Sequence, residues 1–250
     1  MKNNSAVIVI PARLNSSRFP KKILEPINGK PLIIHVLERA QKAELCDCYV
    51  ACCCDEVKNI VNSYGGKAIV TDPSLPSGTD RVFSALSHLE FKPKYVINLQ
   101  GDNPVFEPSI LKDILFVLEN NDDADIATPV VLHNNLSDSQ NENFHNENTV
   151  KVVFENMSQN KPGKAIYFSR EAIPNGADKF YSHVGIYAYK YVALEKFVNL
   201  PQSWLEKTER LEQLRAIENG LSIWAVPVEK GAISVDVRDD LIAVYNALKL

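Results

Sequence analysis

The stretch VIVIPARLNSSRFPKK, from Val7 to Lys22, places a short apolar strand directly before a loop that carries four cations. A strand that is apolar on both faces is typical of a parallel sheet covered by helices on both sides. The cations are Arg13, Arg18, Lys21 and Lys22. Because the loop after a parallel strand is the usual ligand position in an open α/β sheet, the stretch predicts a triphosphate-binding loop. A solvated basic loop is the alternative.

Strand-like and helix-like segments alternate after this loop, which indicates an α/β fold. Strands are predicted at Ala6–Ile10, Cys48–Ala51, Lys67–Val70, Tyr95–Leu99 and Asp125–Val131. Helices are predicted at Leu32–Ala43, Glu56–Tyr64, Asp80–Ser87 and Pro108–Asn120.

The Asn- and Ser-rich stretch HNNLSDSQNENFHNEN, from His133 to Asn148, predicts an exposed, mobile loop between two halves of the chain. Further strands are predicted at Thr149–Glu155, Ala165–Phe168, Val184–Tyr189, Ile223–Val226 and Ile233–Val235. One helix is predicted from Ser203 to Gly220, with an i,i+4 pair of Glu206 and Arg210, and a last helix near Asp239–Leu248.

Composition restricts the class of protein and its surroundings. The chain has 250 residues and a formal net charge of −4, which argues against a broad nucleic-acid interface. No apolar run approaches the roughly 20 residues of a membrane helix, and the first residues lack the shape of a signal peptide. We therefore expect a cytoplasmic protein without a membrane or nucleic-acid partner.

All five cysteines lie in the segment CDCYVACCC, from Cys46 to Cys54. Adjacent cysteines bridge poorly, and the spacing matches no common zinc pattern. The segment predicts reduced thiols that pack as small hydrophobic groups at the end of a strand, with metal or redox chemistry as the alternative.

Two aspartates follow predicted apolar strands at distant points of the chain. Asp102 follows Tyr95–Leu99 in YVINLQGDNP, and Asp236 follows Ile233–Val235 in SVDVRDDL. Each alone is compatible with an ordinary turn aspartate. Because Mg²⁺ takes oxygen ligands and few protein carboxylates, two such residues at strand ends of one sheet predict a shared metal.

The segment LPSGTDRV contains Ser77-Gly78-Thr79 directly before a predicted helix. Small residues at this point let a flat base approach the backbone closely. Thr79 as a plain helix cap is a compatible interpretation.

Seven motifs occur together in one order, and they cover nearly the whole chain. They are PARLNSSRFPKK, SGTDR, LQGDNP, YFSR, HVGIYAY, LEQLR and SVD. In this set the sequence resembles the 3-deoxy-manno-octulosonate (KDO) cytidylyltransferase family. The resemblance implies a nucleotide-diphospho-sugar-transferase-like three-layer sandwich with a mostly parallel central sheet. It also implies a homodimer that uses CTP, KDO and Mg²⁺ to make CMP-KDO and pyrophosphate for lipopolysaccharide synthesis.

The resemblance assigns roles to residues at matching positions. The triphosphate positions are Arg13 and Lys22, and the cytidine positions are Ser77, Gly78, Arg81 and Gln100. The metal positions are Asp102 and Asp236, which with Arg13 and Lys22 form the implied catalytic set. The sugar-acid positions are Arg170, His183, Tyr187, Glu212 and Gln213. The resemblance implies a single domain over 1–250, with a nucleotide half near 1–132 and a sugar-acid and dimerisation half near 149–250.

Physical chemistry supports part of this set. A sugar acid needs a cation or hydrogen-bond donors for its carboxylate, and arginine offers a planar two-point fork, so Arg170 is a candidate. His183 is predicted to begin a strand, where a structural role is also compatible. Glu212 and Gln213 are adjacent on a predicted helix and point about 100° apart, so one of them is free to serve packing or a dimer contact.

Three features depart from the family pattern. Cys52-Cys53 stand where relatives commonly have Thr-Asp, Lys21 stands in place of a glycine, and Val237 stands in place of a threonine. Cys52-Cys53 and Val237 leave open a non-catalytic nucleotide-binding relative. The residues also leave open a cytidylyltransferase for another sugar acid, such as 8-amino-KDO or a sialic acid.

Overall fold

The chain divides into two compact units, and the computed structural model describes residues 5–14, 18–134 and 142–248. The first unit joins Met1–Lys112 to Ala232–Leu250, and the second is Asp113–Gly231. The chain therefore leaves the first unit and returns to it at its end. The nucleotide and sugar-acid halves expected near 1–132 and 149–250 are functional assignments, which stay predictions.

The first unit contains four parallel strands in the spatial order β6-β1-β4-β5. These strands are β1 (Ala6–Ala12), β4 (Asp47–Cys52), β5 (Lys67–Val70) and β6 (Tyr95–Leu99), and a short ribbon consists of β2 (Pro26–Ile27) and β3 (Lys30–Pro31). Its helices are α1 (Leu32–Gln41), α2 (Asp55–Ser63), α3 (Gly78–Leu86), the start of α4 (Ser109–Glu119) and α9 (Asp240–Leu248), with a 3₁₀ turn at Lys22–Leu24.

Burial explains why these segments form a sheet covered by helices. Every residue of β1 is buried, and β6 is buried along its whole length. Such strands need apolar cover on both faces, as in other parallel sheets. Helices α1, α2 and α3 pack against strands of this unit. The α/β class predicted from the alternation of segments is thus confirmed, including its parallel core.

The second unit contains a mixed sheet in the order β10-β8-β9-β12-β7-β11. Its strands are β7 (Ile126–Asn134), β8 (Lys151–Phe154), β9 (Gly163–Ser169), β10 (Lys179–His183), β11 (Ile186–Lys190) and β12 (Ile223–Val228). Its helices are α5 (Glu142–His145), α6 (Tyr191–Val198), α7 (Trp204–Glu209) and α8 (Leu214–Glu218), with a 3₁₀ turn at Met157–Gln159. The β12–β7 pair is parallel, and the other pairs are antiparallel.

The prediction of one helix over Ser203–Gly220 is wrong. Arg210 adopts a left-handed conformation with φ of 55°, which ends α7, and α8 begins only at Leu214. The N–H of Leu211 then donates to the carbonyl of Glu206 across this turn. A left-handed non-glycine residue ends a helix but has no strong sequence signature, because the preferred residues there are glycine and asparagine. The expected Glu206–Arg210 pair is wrong as well, since Glu206 binds Arg215 instead.

Two strand predictions also need correction. Ile233–Val235 forms no regular strand; it makes a single bridge between Ile233 and Val105. His183 ends β10 instead of beginning a strand, and β10 itself was not predicted. Its sequence KFYSH is short, and its ends are polar. Its antiparallel partners β7 and β8 lie far away in the chain, so the pairing leaves no local signal.

The predicted loop His133–Asn148 lies partly in regular structure. Strand β7 continues to Asn134 and α5 covers Glu142–His145, while residues 135–141 lie outside the described part. Within the described ranges, no helix has the length and apolar character required to cross a membrane.

A buried ion pair joins α7 to α8. Glu206 Oε1 lies 2.6 Å from an Arg215 terminal nitrogen, and Glu206 Oε2 accepts from Arg215 Nε at 2.9 Å. The two side chains are 7% and 8% exposed. Glu206 also completes a capping box with Ser203. The pair thus stabilises the junction that replaces the predicted single helix.

Removing one partner of this pair leaves a buried charge without its counter-ion. We expect Glu206→Ala to lower the free energy of unfolding by about 3–5 kcal/mol. The matched control is Glu38→Ala, which removes the half-exposed pair with Lys30 and costs at most about 1 kcal/mol. Urea unfolding at pH 7 measures both. Equal losses in the two variants contradict the assignment.

Candidate active site

A cavity of about 210 Å³ lies in the first unit, where β1 and β6 end. It collects most of the residues that the sequence assigned to nucleotide and metal. These are Arg13, Lys22, Gly78, Arg81, Gln100, Asp102 and Asp236, and Arg18 joins them. Ser77 directly precedes the lining residue Gly78. The cavity thus combines cations, carboxylates and a small-residue wall.

Lys22 connects the two aspartates at the centre of this cavity. Its ammonium nitrogen lies 2.6 Å from Asp102 Oδ2 and 3.3 Å from Asp236 Oδ1, and it donates to the carbonyl of Val235 at 2.8 Å. Arg18 contacts the same Asp236 Oδ1 at 3.0 Å. The two carboxylates therefore converge on one positive group, although 134 positions separate them in the sequence.

Backbone contacts bring Asp236 to Asp102. The N–H of Val235 donates to the carbonyl of Asp102 at 2.9 Å, and the N–H of Ile233 donates to Val105 at 2.8 Å. Asp240, at the start of α9, accepts hydrogen bonds from the N–H groups of Asp236 and Val237. Asp240 therefore fixes the turn that presents Asp236.

Gly101 allows the end of β6 to approach β1 closely. A Cβ atom at Gly101 would lie 2.6 Å from the carbonyl oxygen of Pro11, which is shorter than any ordinary contact. A side chain at this position would therefore displace Asp102 or Pro11. This is a physical reason for glycine between Gln100 and Asp102.

The opposite wall of the cavity is formed by the start of α3. Ser77 caps α3, with its hydroxyl accepting from the N–H of Asp80. Gln100 donates to the buried Asn98, and Asn98 donates to the hydroxyl of Thr79, so these hydrogen bonds orient the Gln100 side chain. Gly78 leaves space beside Gln100, which suits the close approach of a flat base.

Arg81 is 2% exposed and donates to the hydroxyl of Thr71 and the carbonyl of Asp72. Its guanidinium thus joins α3 to the segment after β5, and it also borders the cavity. A structural role and a role toward nucleotide are both compatible with this position.

Lys21, which stands where the family pattern has a glycine, adopts a backbone conformation that glycine favours. Its φ is 57°, in the left-handed region. This conformation costs a non-glycine residue about 1 kcal/mol or more, so the remainder of the loop imposes it. Asn15-Ser16-Ser17, which lie between Arg13 and Arg18 in the predicted triphosphate loop, are outside the described residues.

The predicted sugar-acid residues all lie in the second unit. Arg170 donates from Nε to the carbonyl of Glu209, and from its terminal nitrogens to the carbonyls of Glu147 and Arg210. These bonds use three of the five N–H groups of a guanidinium. Arg170 is thereby held in a fixed orientation, with donor capacity left for an anion.

His183 lies between Phe168 and Tyr187, with ring centroids 5.3 Å from each. Its Nε2 is 2.9 Å from the hydroxyl of Thr128, which donates to the carbonyl of Ile186 at 2.8 Å. Because that hydroxyl proton is already used, Nε2 carries the donated hydrogen. Burial lowers the pKa of His183 to about 3, so the ring is neutral near pH 7. Burial, followed by the charge of Glu212, raises the pKa of Tyr187.

Glu212 and Gln213 lie in the turn before α8, not within one long helix. Glu212 Oε1 is 3.6 Å from Arg215. Gln213 is 6% exposed, and within the described part of the chain its amide nitrogen has no hydrogen-bond partner. A buried amide donor without an acceptor lowers the stability of a folded protein. The amide of Gln213 is therefore a candidate to donate to a ligand.

Sequence reasoning missed several residues of these two sites. Arg18 was counted as a cation but not assigned to Asp236. Glu209 accepts from the hydroxyls of Tyr167 and Ser169 and from the N–H of Arg170. The buried Lys151 donates to three carbonyls, one of them that of Arg170, and burial lowers its pKa. Only the long-range pairing of strands shows these contacts.

The cysteine segment packs as predicted for small hydrophobic groups. Cys46, Cys48 and Cys52 are buried, and no disulfide joins the five cysteines. Burial is also the main cause that raises the pKa of the Cys52 thiol. A raised thiol pKa disfavours the thiolate needed for nucleophilic chemistry.

The neutral His183 predicts a dependence of stability on pH. The unfolded chain binds a proton at this residue below about pH 6.5, but the folded protein does not until about pH 3. The contribution of His183 to the free energy of unfolding is therefore fully present above about pH 6.5. It decreases as the pH falls, by about 2 kcal/mol between pH 7 and pH 5.

We expect the His183→Asn variant to lose about 2 kcal/mol less free energy of unfolding than the wild type between pH 7 and pH 5. Urea unfolding at pH 7 and pH 5 measures it, with the exposed His88→Asn as control. A variant that keeps the full pH dependence of the wild type shows that His183 is not the group responsible.

Comparisons with known proteins show the family of this chain. The cytidylyltransferase family model matches residues 7–223. A 3-deoxy-manno-octulosonate cytidylyltransferase of Rickettsia felis is 44% identical, covering 96% of this chain and 94% of its own. One of Paramagnetospirillum magneticum is 41% identical, covering 97% of both chains.

A solved structure of CMP:2-keto-3-deoxy-manno-octonic acid synthetase complexed with CTP has a TM-score of 0.86 and 37% identity. The alignment covers 97% of this chain and 98% of that one. The resemblance found in the sequence motifs is thus confirmed, and the protein is a nucleotidyltransferase. The chain belongs to the cytidylyltransferase family, among the 3-deoxy-manno-octulosonate cytidylyltransferases.

Proposed function

We propose that this protein transfers a cytidylyl group from CTP to KDO, giving CMP-KDO and pyrophosphate. The observation that carries the proposal is the convergence of Asp102 and Asp236 on one cation inside a cavity that Arg13 and Arg18 also border. The solved relative that binds CTP and the curated relatives support the choice of nucleotide and acceptor.

The two carboxylates fit a divalent cation. They already hold one positive group between them, and both offer oxygen, the ligand that Mg²⁺ prefers. Mg²⁺ is commonly bound through one or two carboxylates plus substrate phosphates, so a larger protein cage is not needed. When bound, Mg²⁺ would neutralise phosphate charge and lower the pKa of the attacking hydroxyl.

The residues of the first unit would bind and orient CTP. Ser77, Gly78 and Gln100 form the wall proposed for the cytosine ring. Arg13 and Lys22 would hold the triphosphate and stabilise the leaving pyrophosphate. The anomeric hydroxyl attacks the α-phosphorus, the bond to the β-phosphate oxygen breaks, and the hydroxyl proton passes to solvent. In-line transfer of this kind needs positioning and charge stabilisation, not a covalent nucleophile.

The residues of the second unit would bind the sugar acid. Arg170 would receive its carboxylate, oriented by the carbonyls of Glu147, Glu209 and Arg210. Gln213 would donate its unused amide hydrogens to a sugar hydroxyl, and Glu212 would accept from one. The neutral His183 and Tyr187 offer uncharged surfaces for the sugar ring. Homodimer formation and a cytoplasmic location are further parts of this proposal, taken from the family resemblance.

A coupled assay of pyrophosphate release, with CTP, KDO and Mg²⁺, tests the reaction. We expect Asp102→Asn and Asp236→Asn to lower kcat by about 10²–10³, the effect of losing one preorganised electrostatic group. Asp55→Asn, which changes an exposed carboxylate in α2, is the matched control and should retain wild-type rates. Near-normal turnover by Asp102→Asn would contradict the metal assignment, and parallel assays with 8-amino-KDO and a sialic acid identify the preferred acceptor.

Substitution of Gln213 distinguishes a role in binding the acceptor from a role in packing. We expect Gln213→Leu to raise KM for KDO about tenfold or more, while KM for CTP stays within about twofold. Because the substitution removes a buried donor without an acceptor, the substrate-free protein should lose no stability. Initial-rate kinetics and thermal unfolding measure the two effects. An unchanged KM for KDO would remove Gln213 from the acceptor site.

A further inference from the structure

Lys22 makes a complete set of hydrogen bonds within the proposed metal site. An ammonium group has three N–H donors, and here its three acceptors are Asp102 Oδ2, the Val235 carbonyl and Asp236 Oδ1. The Lys22 side chain is only 11% exposed. The ammonium is therefore a coordinated cation in its own right, held by the same two carboxylates that are proposed to bind Mg²⁺.

An ammonium in this position and a divalent cation would compete for the same two oxygens, Asp102 Oδ2 and Asp236 Oδ1. Mg²⁺ binds carboxylate oxygens at about 2.1 Å, whereas the Lys22 nitrogen is already 2.6 Å from Asp102 Oδ2. A metal bridging Asp102 and Asp236 would lie against the ammonium and repel it. A divalent cation that takes these same two oxygens would displace the ammonium from them.

We propose that Lys22 is a resident counter-cation that occupies the metal position in the nucleotide-free protein and leaves it when a triphosphate arrives. This inference rests on the proposed function, because it takes Asp102 and Asp236 as metal ligands. The triphosphate supplies Lys22 with an alternative anionic partner and thereby frees both carboxylates. Lys22 thus delays metal binding until nucleotide is present.

Arg18 provides an internal comparison. It contacts Asp236 Oδ1 at 3.0 Å, but its side chain is 60% exposed, in contrast to the nearly buried side chain of Lys22. Removing Arg18 takes away a nearby positive charge and leaves the ammonium between the carboxylates. Removing the charge of Lys22 opens the position itself. The two changes therefore separate a general charge effect from occupation of the site.

The proposal is tested by titration calorimetry, which measures the affinity of nucleotide-free protein for Mn²⁺ alone. We expect Lys22→Met and Lys22→Gln to bind Mn²⁺ about tenfold or more tightly than wild type, within the usual range of coupling between two ligands. Arg18→Gln should change the affinity less than about threefold. Adding Asp102→Asn to Lys22→Met should abolish the gain. Equal affinity in wild type and both Lys22 variants, or a gain that survives Asp102→Asn, overturns the proposal.

A second measurement uses the wild-type protein, so that the charge of Lys22 is retained. The ¹⁵Nζ signal of Lys22, assigned with Lys22→Arg, should move when CTP is added without metal. A signal unchanged by bound CTP overturns the proposal even if the Lys22→Met and Lys22→Gln variants fail to fold. Pyrophosphate release by wild-type protein is read separately. Normal turnover with unchanged Mn²⁺ affinities therefore rejects the resident cation and leaves the proposed function standing.

Discussion

The organisation of the first unit depends on holding two like charges close together. Asp102 and Asp236 would repel each other, and the Lys22 ammonium between them makes their proximity stable. The surrounding contacts serve this arrangement: Gly101 permits the close approach to Pro11, and Asp240 fixes the turn before α9. This concentration of both signs of charge in a small volume suits the phosphates and the metal that are proposed to bind here.

In the second unit, two of the predicted sugar-acid residues, His183 and Arg170, are held by hydrogen bonds to a hydroxyl and to backbone carbonyls. His183 is kept neutral by burial and tied to Thr128 through one hydrogen bond. The guanidinium of Arg170 is fixed by three backbone carbonyl groups, which leaves part of its donor capacity unused. Such fixed donors suit an acidic ligand, because they need little reorganisation when it binds.

Much of this could be predicted from the sequence because local signals coincide with the final structure. The apolar runs of β1 and β6 predicted buried strands, and each delivers Arg13 or Asp102 to the cavity. Other features depend on distant contacts. The bend at Arg210 has no glycine to mark it, and β10 gains its pairing only from strands elsewhere in the chain. Lys22 was assigned to phosphate by its charge and by the family resemblance, whereas its contact with both aspartates arises from the folded geometry.

The discontinuous first unit has a consequence for synthesis of the chain. Its last segment, Ala232–Leu250, carries Asp236 and α9, and it is translated only after the whole second unit. A nascent polypeptide on the ribosome can thus form β1, β4, β5 and β6, but it lacks one of the two carboxylates that surround Lys22. Completion of this cavity is therefore postponed until the segment that carries Asp236 has been synthesised, after the whole of the second unit.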